Sequence, residues 1–301
     1  MIYPKIKIEP TNLCNLKCPL CPTNCAMSRA RGDMSLVLFK KIIDSFEKDE
    51  IKKINLWNFG EPLLNKDIFE MVRYAAKKGI RTIISTNSTM LDREIRKNIL
   101  CSGLDTIIVC LDGMKKESHE KYRVGSNFED IVNNIKALAS EKKNSASKTK
   151  IRLQMLLTKE NGKEINKLKE FAKSLGVDEL ALKDISLGSW NNDKEKLAKE
   201  WLPEDKKYSR YEDYNTLKIK RKSEKCTWCK RNGTILWNGD VTICCYDFDG
   251  KHIFTNVLKE DFRKVLLSDK MTKIRNKIAN RQYEKCKECQ ETEFGMEVMR
   301  L

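Results

Sequence analysis

Three cysteines, Cys14, Cys18 and Cys21, fall within the nine-residue stretch CNLKCPLCP, three residues apart at the first gap and two at the second. A structural zinc site wants four ligands. Iron–sulfur clusters also commonly use four thiolates. Three thiolates on a four-iron cube leave one iron open to another molecule, which is what a catalytic centre requires. Cys25 would complete a closed set of four, but the ferredoxin run begins with a gap of two rather than three, so Cys25 reads as a bystander near the rim. The competing reading is that these cysteines bind zinc or nothing.

A second set lies far along the chain: Cys226, Cys229, Cys244, Cys245, Cys286 and Cys289. Its two Cys-x2-Cys pairs, 226/229 and 286/289, superficially spell a four-cysteine zinc site. Cys101 and Cys110 fall at a helix end and inside a strand, where buried structural cysteines are common. His119 and His252 are isolated and read as surface residues.

These groups need a frame to position them. The chain has 301 residues, of which 40% are hydrophobic, enough for one large α/β domain with a smaller appendage. The start, MIYPKIKIEP, has no long apolar run, and no stretch is long enough to span a membrane. The expected location is therefore cytoplasmic, with no membrane partner. In that reducing setting twelve cysteines point to metal ligands rather than disulfides. The net charge of +16 invites a nucleic-acid reading. The lysines are spread over helical surfaces and loops without an interleaved aromatic ladder, so a solvated basic surface and no nucleic acid is the expectation.

Strand-like runs at 5–11, 53–59, 81–87, 105–112, 150–158 and 179–186 alternate with amphipathic helices near 35–48, 66–78, 91–101, 127–141 and 161–175. Gly79 and Gly176 stand where helices should end. Such repetition predicts a parallel sheet. Six units are too few for a closed eight-stranded barrel, so the expected fold is a partial, TIM-like (βα)6 barrel over 1–186. Residues 187–225 read as a polar linker with one or two short helices, and 226–301 as a small α+β domain. There WNGD between two apolar runs signals a hairpin. In a parallel barrel the loops after strands gather at one face and build the site. Cys14, Cys18 and Cys21 follow the first strand.

Cys-x3-Cys-x2-Cys after a first strand resembles the radical S-adenosylmethionine (SAM) superfamily. Four more segments agree, each at a strand's end and in family order. NFGEPLLN (58–65) resembles the glycine–glutamate–proline motif, and STNSTML (85–91) the Thr-Asn-Gly segment, with Ser88 in the glycine position. LDGMKKESHEKYRVG (111–125) and LLTKEN (156–161) resemble the branch that modifies peptides and metabolites. The resemblance implies an enzyme whose 4Fe–4S cluster, held by Cys14, Cys18 and Cys21, binds SAM at its open iron and cleaves it to a 5′-deoxyadenosyl radical.

It further implies that Gly60, Glu61 and Pro62 meet the methionine ammonium of SAM. Ser85 and Asn87 would bind the ribose, Arg123 the carboxylate, and Gln154 and Leu156 the nucleoside. Lys17 could help keep the thiolates ionised. The C-terminal cysteines resemble SPASM and twitch domains, which implies one auxiliary 4Fe–4S cluster on Cys226, Cys244, Cys286 and Cys289. Cys229 and Cys245 are the alternatives to Cys226 and Cys244, and because adjacent strand residues point to opposite faces only one of Cys244 and Cys245 should ligate.

The expected reaction removes hydrogen from a substrate carbon and oxidises it, as in the aminocyclitol dehydrogenases and sulfatase maturases of the branch. The substrate is a small polar metabolite or, alternatively, a peptide to be crosslinked or oxidised. A reductant such as flavodoxin or ferredoxin supplies electrons. A zinc-stabilised nucleic-acid-binding protein is the rival from another class.

Overall fold

The structure is a computed structural model. It describes residues 5–188, 190–220, 225–226, 232–242, 244–287, 289 and 296–301. Six parallel strands form its centre: β1 (Lys5–Ile8), β2 (Lys53–Leu56), β3 (Arg81–Thr86), β4 (Thr106–Cys110), β5 (Lys150–Leu157) and β6 (Glu179–Asp184), each hydrogen-bonded to the next. The connecting helices are α1 (Pro22–Cys25), α2 (Leu36–Asp44), α3 (Ile68–Lys77), α4 (Arg93–Cys101), α5 (Lys116–Tyr122), α6 (Phe128–Lys143) and α7 (Ile165–Ser174). Of these, α1 and α5 lie outside the expected helices. This is the partial barrel that the alternating pattern implies.

The alternation along β5 shows how the sheet sorts its side chains. Ile151, Leu153, Met155 and Leu157 are buried beneath the helices, whereas Arg152, Gln154 and Leu156 line the opposite, concave face. Helix starts are set by side-chain caps. Ser35, Asp92 and Asn127 accept from the backbone N–H groups of Leu38, Ile95 and Asp130, at 3.2, 2.8 and 3.2 Å. Gly79 and Gly176 close α3 and α7 with φ of +74° and +75°.

The strands are shorter than the apolar runs that announced them. β1 stops at Ile8 because Pro10 has no N–H to continue a ladder. The remaining residues of that run, and those of the 53–59, 105–112 and 179–186 runs, become loops.

Beyond β6 the chain forms α8 (Lys194–Trp201), a small antiparallel pair β7 (Tyr211–Asp213) and β8 (Lys218–Ile219), and then β9 (Asn232–Ile235), β10 (Asp240–Thr242) and β11 (Ile253–Asn256). Helices α9 (Phe262–Leu267), α10 (Asp269–Ala279) and α11 (Glu284–Lys287) precede β12 (Met296–Arg300). The WNGD hairpin is present as β9–β10, with Gly239 at φ +87° in its turn. Its placement was not legible in the sequence. β9 pairs in parallel with β1, and β12 pairs antiparallel with β6, so one ten-stranded sheet runs β11-β10-β9-β1-β2-β3-β4-β5-β6-β12. The C-terminal segment thus covers both edges of the partial barrel, where unpaired backbone groups would otherwise lie exposed.

The 187–225 segment packs as well as connects. Trp201, Leu202 and Tyr211 are buried in one cluster with Leu16, Cys18 and Leu20. Arg210, 2% exposed, pairs with Asp184 at 2.7 Å and ties the segment to the end of β6.

Candidate functional site

Cys14, Cys18 and Cys21 sit in the loop between β1 and α2 and carry no disulfide. Cys18 is buried between Leu16 and Leu20, and Cys14 and Cys21 pack against the same cluster. Cys25 stands apart. It is exposed, its thiol donates to the Cys21 carbonyl at 3.2 Å, and it lies 3.7 Å from Asn191 Oδ1. Burial pushes the Cys18 thiol up to about 11 and raises that of Cys14. Nearby Arg123 pulls both back, whereas Lys17, expected to do so, is exposed. Thiols held this way ionise when a metal takes the place of the proton, which is the donor chemistry of an iron–sulfur cluster.

The loop after β2 grips the cysteine loop. Glu61 donates its backbone N–H to the Leu13 carbonyl at 2.7 Å. Gly60 has φ +95°, and a Cβ there would stand 2.5 Å from Thr11 O and 2.8 Å from both Asn12 Cα and Leu13 O. The glycine is therefore demanded by the protein's own backbone. Pro62 opens a short 3-10 turn. The Glu61 carboxylate is buried and committed. It accepts from Leu63 N at 3.1 Å and from Asn87 N at 2.7 Å, joining the β2 and β3 loops. Burial raises its pKa, opposed by those N–H groups and by the Thr86 hydroxyl.

The β3 loop reaches the cysteines in turn. Asn87 Nδ2 donates to Asn15 Oδ1 at 2.8 Å and lies 4.0 Å from Cys14 Sγ, while Asn15 Nδ2 donates to Thr89 Oγ1 at 2.8 Å. Ser88 adopts φ +68°, the conformation a glycine would favour in the position it occupies. Asp92, not Ser85 or Asn87, caps α4. Ser85 Oγ lies 3.7 Å from Cys110 Sγ on the concave face, and Gln154 Nε2 is 3.6 Å from the same sulfur. Leu156 packs with the cysteine cluster. Asn87 and Leu156 thus lie beside the cysteine loop, while Ser85 and Gln154 meet at Cys110 on the concave face.

Arg123 is mostly buried rather than on the surface. Its Nε donates to Asp112 Oδ2 at 2.5 Å, and no described residue accepts from its terminal nitrogens. Asp112, fully buried, also accepts from Leu156 N at 2.6 Å. Sequence reasoning quoted Asp112 within LDG yet gave it no part. A carboxylate at the end of a buried strand was the available signal, since such a group needs a partner. His119 corrects the surface reading. It is fully buried, and its Nδ1 accepts from Asp112 N at 3.1 Å. Burial drives its pKa down to about 4, so it is neutral. His252 is half-buried, edge-on to Tyr283 with centroids 5.5 Å apart.

In the C-terminal region Cys226, Cys244 and Cys286 pack around Ile278, and Cys289 acts electrostatically on both Cys244 and Cys286. Cys229 lies outside the described residues. β10 ends at Thr242, so strand alternation does not separate Cys244 from Cys245. Cys244 packs in the cluster and accepts from Tyr246 N at 3.4 Å, and its side chain is hydrogen-bonded to that of Cys245.

Comparison with known proteins agrees with this layout. Residues 8–172 match the model of the radical SAM superfamily, and residues 226–290 match SPASM, an iron–sulfur cluster-binding domain. The chain belongs to the radical SAM superfamily. The C-terminal cysteines accordingly form part of an iron–sulfur domain, and the zinc reading of their pairs gives way.

One relative is the tungsten-containing aldehyde ferredoxin oxidoreductase cofactor-modifying protein of Pyrococcus furiosus, 30% identical over 181 residues, 59% of this chain and 50% of that one. Another is the AdoMet-dependent heme synthase of Methanosarcina barkeri, 31% identical over 170 residues, 56% of this chain and 47% of that one. The chain spans about half the length of the curated relatives it matches. Among solved structures, BtrN in complex with AdoMet and 2-DOIA shares the fold at a TM-score of 0.61 and 18% identity, covering 98% of this chain and 95% of that one. The superfamily's 4Fe–4S cluster and SAM fit the three grouped thiols, and the SPASM match adds a further iron–sulfur site.

Two predictions follow from this geometry. Gly60→Ala should cost about 2–3 kcal/mol, because backbone rather than a mobile side chain blocks the new methyl and the positive φ persists. Urea melts should show the loss, and iron retained after anaerobic reconstitution should fall with it. His119 binds its proton at about pH 4 when folded and near 6.5 when unfolded, so below 6.5 the unfolded chain holds more protons and stability falls toward 4. Replacement by Asn, which keeps an acceptor for Asp112 N–H, should flatten that acid slope in melts taken from pH 7 to 4.5. An unchanged slope would count against a neutral buried imidazole.

Proposed function

We propose that this radical SAM enzyme removes hydrogen from a carbon of a small polar metabolite and completes a dehydrogenase-like oxidation with one auxiliary 4Fe–4S cluster held by Cys226, Cys244, Cys286 and Cys289. A reducing donor such as flavodoxin or ferredoxin supplies the electrons. When bound, SAM and its cluster supply the hydrogen-abstracting radical, and the auxiliary cluster supplies an electron acceptor.

One observation carries the reading: the two cysteine regions are structurally continuous. Tyr246, whose N–H meets Cys244 Sγ, stacks on Trp190 with centroids 6.1 Å apart. Trp190 Nε1 donates to Leu20 O at 3.2 Å, between Cys18 and Cys21. Packed contacts thus join the neighbourhood of the first site to Cys244, which supports passage of an electron from a substrate radical at the first site to the second.

The residues around the first site have distinct tasks. Arg123, aligned by Asp112, presents its terminal nitrogens to an anionic group such as the methionine carboxylate. Asn87, Ser85 and Gln154 offer polar atoms at the ribose and nucleoside. Gly60 and Glu61 hold the loops that carry these groups.

Leu156, Tyr122 and Trp201 exclude water from the thiols, with the Tyr122 and Trp201 rings edge-to-face at 5.4 Å. The match along nearly the full length of BtrN, crystallised with AdoMet and 2-DOIA, supports the small-metabolite reading, and the TM-score of 0.67 to SuiB bound to its precursor peptide keeps a peptide substrate as the second reading.

Anaerobically reconstituted protein should carry about eight irons per chain, as two four-iron clusters require. After reduction with SAM it should yield 5′-deoxyadenosine. Cys18→Ala should lose about half of the iron and all of the 5′-deoxyadenosine, while Cys25→Ala should retain both. Incubation with candidate amino- and hydroxy-metabolites should give one product lacking two hydrogens. A product formed only from peptides would replace the substrate assignment, and zinc in place of iron would defeat the reading entirely.

A further inference from the structure

The loop 26–33, which follows the first cysteine set, and the loop 244–250, which begins at Cys244, are fastened together. Ser28 donates both its N–H and its hydroxyl to the Asp249 carboxylate at 2.7 Å, and Arg29 N adds a third bond at 3.0 Å. Arg29 Nε donates to Phe248 O at 2.6 Å, and its NH2 donates to Glu9 at 2.7 Å. Glu9 is fully buried and also accepts from Asn58 Nδ2 at 3.2 Å. The Phe248 ring packs edge-on against Phe59, next to Gly60, at 6.1 Å.

Each loop is internally tied, so force on one end reaches the other. In the first, Asn12 binds Ala30 O at 2.8 Å and Gly32 N at 2.9 Å, which fixes 26–33 to the start of the cysteine loop. In the second, Asp247 N donates to Cys244 O at 3.0 Å, and the Asp247 carboxylate accepts from Lys251 N and His252 N at 3.0 and 2.9 Å. A chain of contacts therefore runs from Cys244 through the 247–249 turn to Ser28 and Arg29.

We propose that Asp249 and Arg29 are positioning residues forming a latch, by which filling of the Cys226–Cys244–Cys286–Cys289 site orders the loop that follows Cys14, Cys18 and Cys21. The proposal rests on the reading that both sites hold clusters. Arg29 is a poor probe because its removal strands the buried Glu9 charge. Asp249 is the better one. Alanine removes all three acceptor contacts, whereas asparagine retains a carbonyl oxygen for the backbone donors.

The test is amide hydrogen exchange of residues 26–33 in reconstituted full-length protein, read by mass spectrometry. It compares the native chain, Asp249→Ala, Asp249→Asn, Cys286→Ala/Cys289→Ala, and the triple variant. Exchange in this segment should quicken about tenfold in Asp249→Ala and in the double cysteine variant, a coupling within the usual 5–150-fold range. It should be no faster in the triple variant, because both changes release the same contact. Asparagine should restore most of the protection.

Native-like exchange in a double cysteine variant that lacks auxiliary iron would overturn the latch, as would multiplicative effects in the triple variant. Should the double variant fail to fold, Asp249→Ala decides alone: unchanged exchange at 26–33 with both clusters retained rejects the proposal. Failure of the functional reading shows separately, as a native protein without auxiliary iron.

Discussion

The cysteine loop is mostly irregular, and what fixes it comes from its neighbours. The closest constraint is the backbone of Gly60 and Glu61, which runs so near Thr11, Asn12 and Leu13 that no side chain fits between. The Glu61 carboxylate then transmits the constraint to Asn87, and Asn87 returns it to Asn15 and the neighbourhood of Cys14. Three loops after three strands thus form a closed circuit of hydrogen bonds. Glu61 and Asn87, at its centre, are buried, where an unmade bond is expensive, so the circuit resists being opened there.

Electrostatics follows from the same burial. Thiols withdrawn from water resist ionisation, and Arg123 alone does not reverse this. The site is therefore poor at holding bare thiolates and suited to thiolates bound to iron. Asp112 pairs with Arg123 through Nε, and the guanidinium charge is still felt by the Cys14 and Cys18 thiols. Neutral His119 braces the backbone of Asp112 without adding a charge.

Much of this was legible in the sequence, for identifiable reasons. The βα alternation carries its own periodicity, and Cys-x3-Cys-x2-Cys with the Gly60-Glu61-Pro62 turn is a local pattern. Ser88 stood out as a replacement for glycine, and its positive φ is the backbone reason. Long-range pairings left no local trace. Nothing in the run around Asn232 tells that it will lie beside β1, and Asp249 meets Ser28 across 221 residues. The polar composition of 187–225 concealed Trp201 and Tyr211, which cover the cysteines. An isolated histidine gave no periodic signal of its burial. The residues past each true strand end, such as Glu9, Asn58 and Asp112, continue the runs in sequence but turn into the loops that build the site.

The central claim is that one cluster keeps an iron free for SAM. Electron paramagnetic resonance of the reduced, anaerobically reconstituted chain, taken before and after addition of SAM, tests it most directly. A cluster on Cys14, Cys18 and Cys21 with an open position predicts that one of the two signals shifts on addition and the other stays as it was. Two signals that both remain unchanged would contradict it, since clusters closed by four thiolates have no place for the ligand.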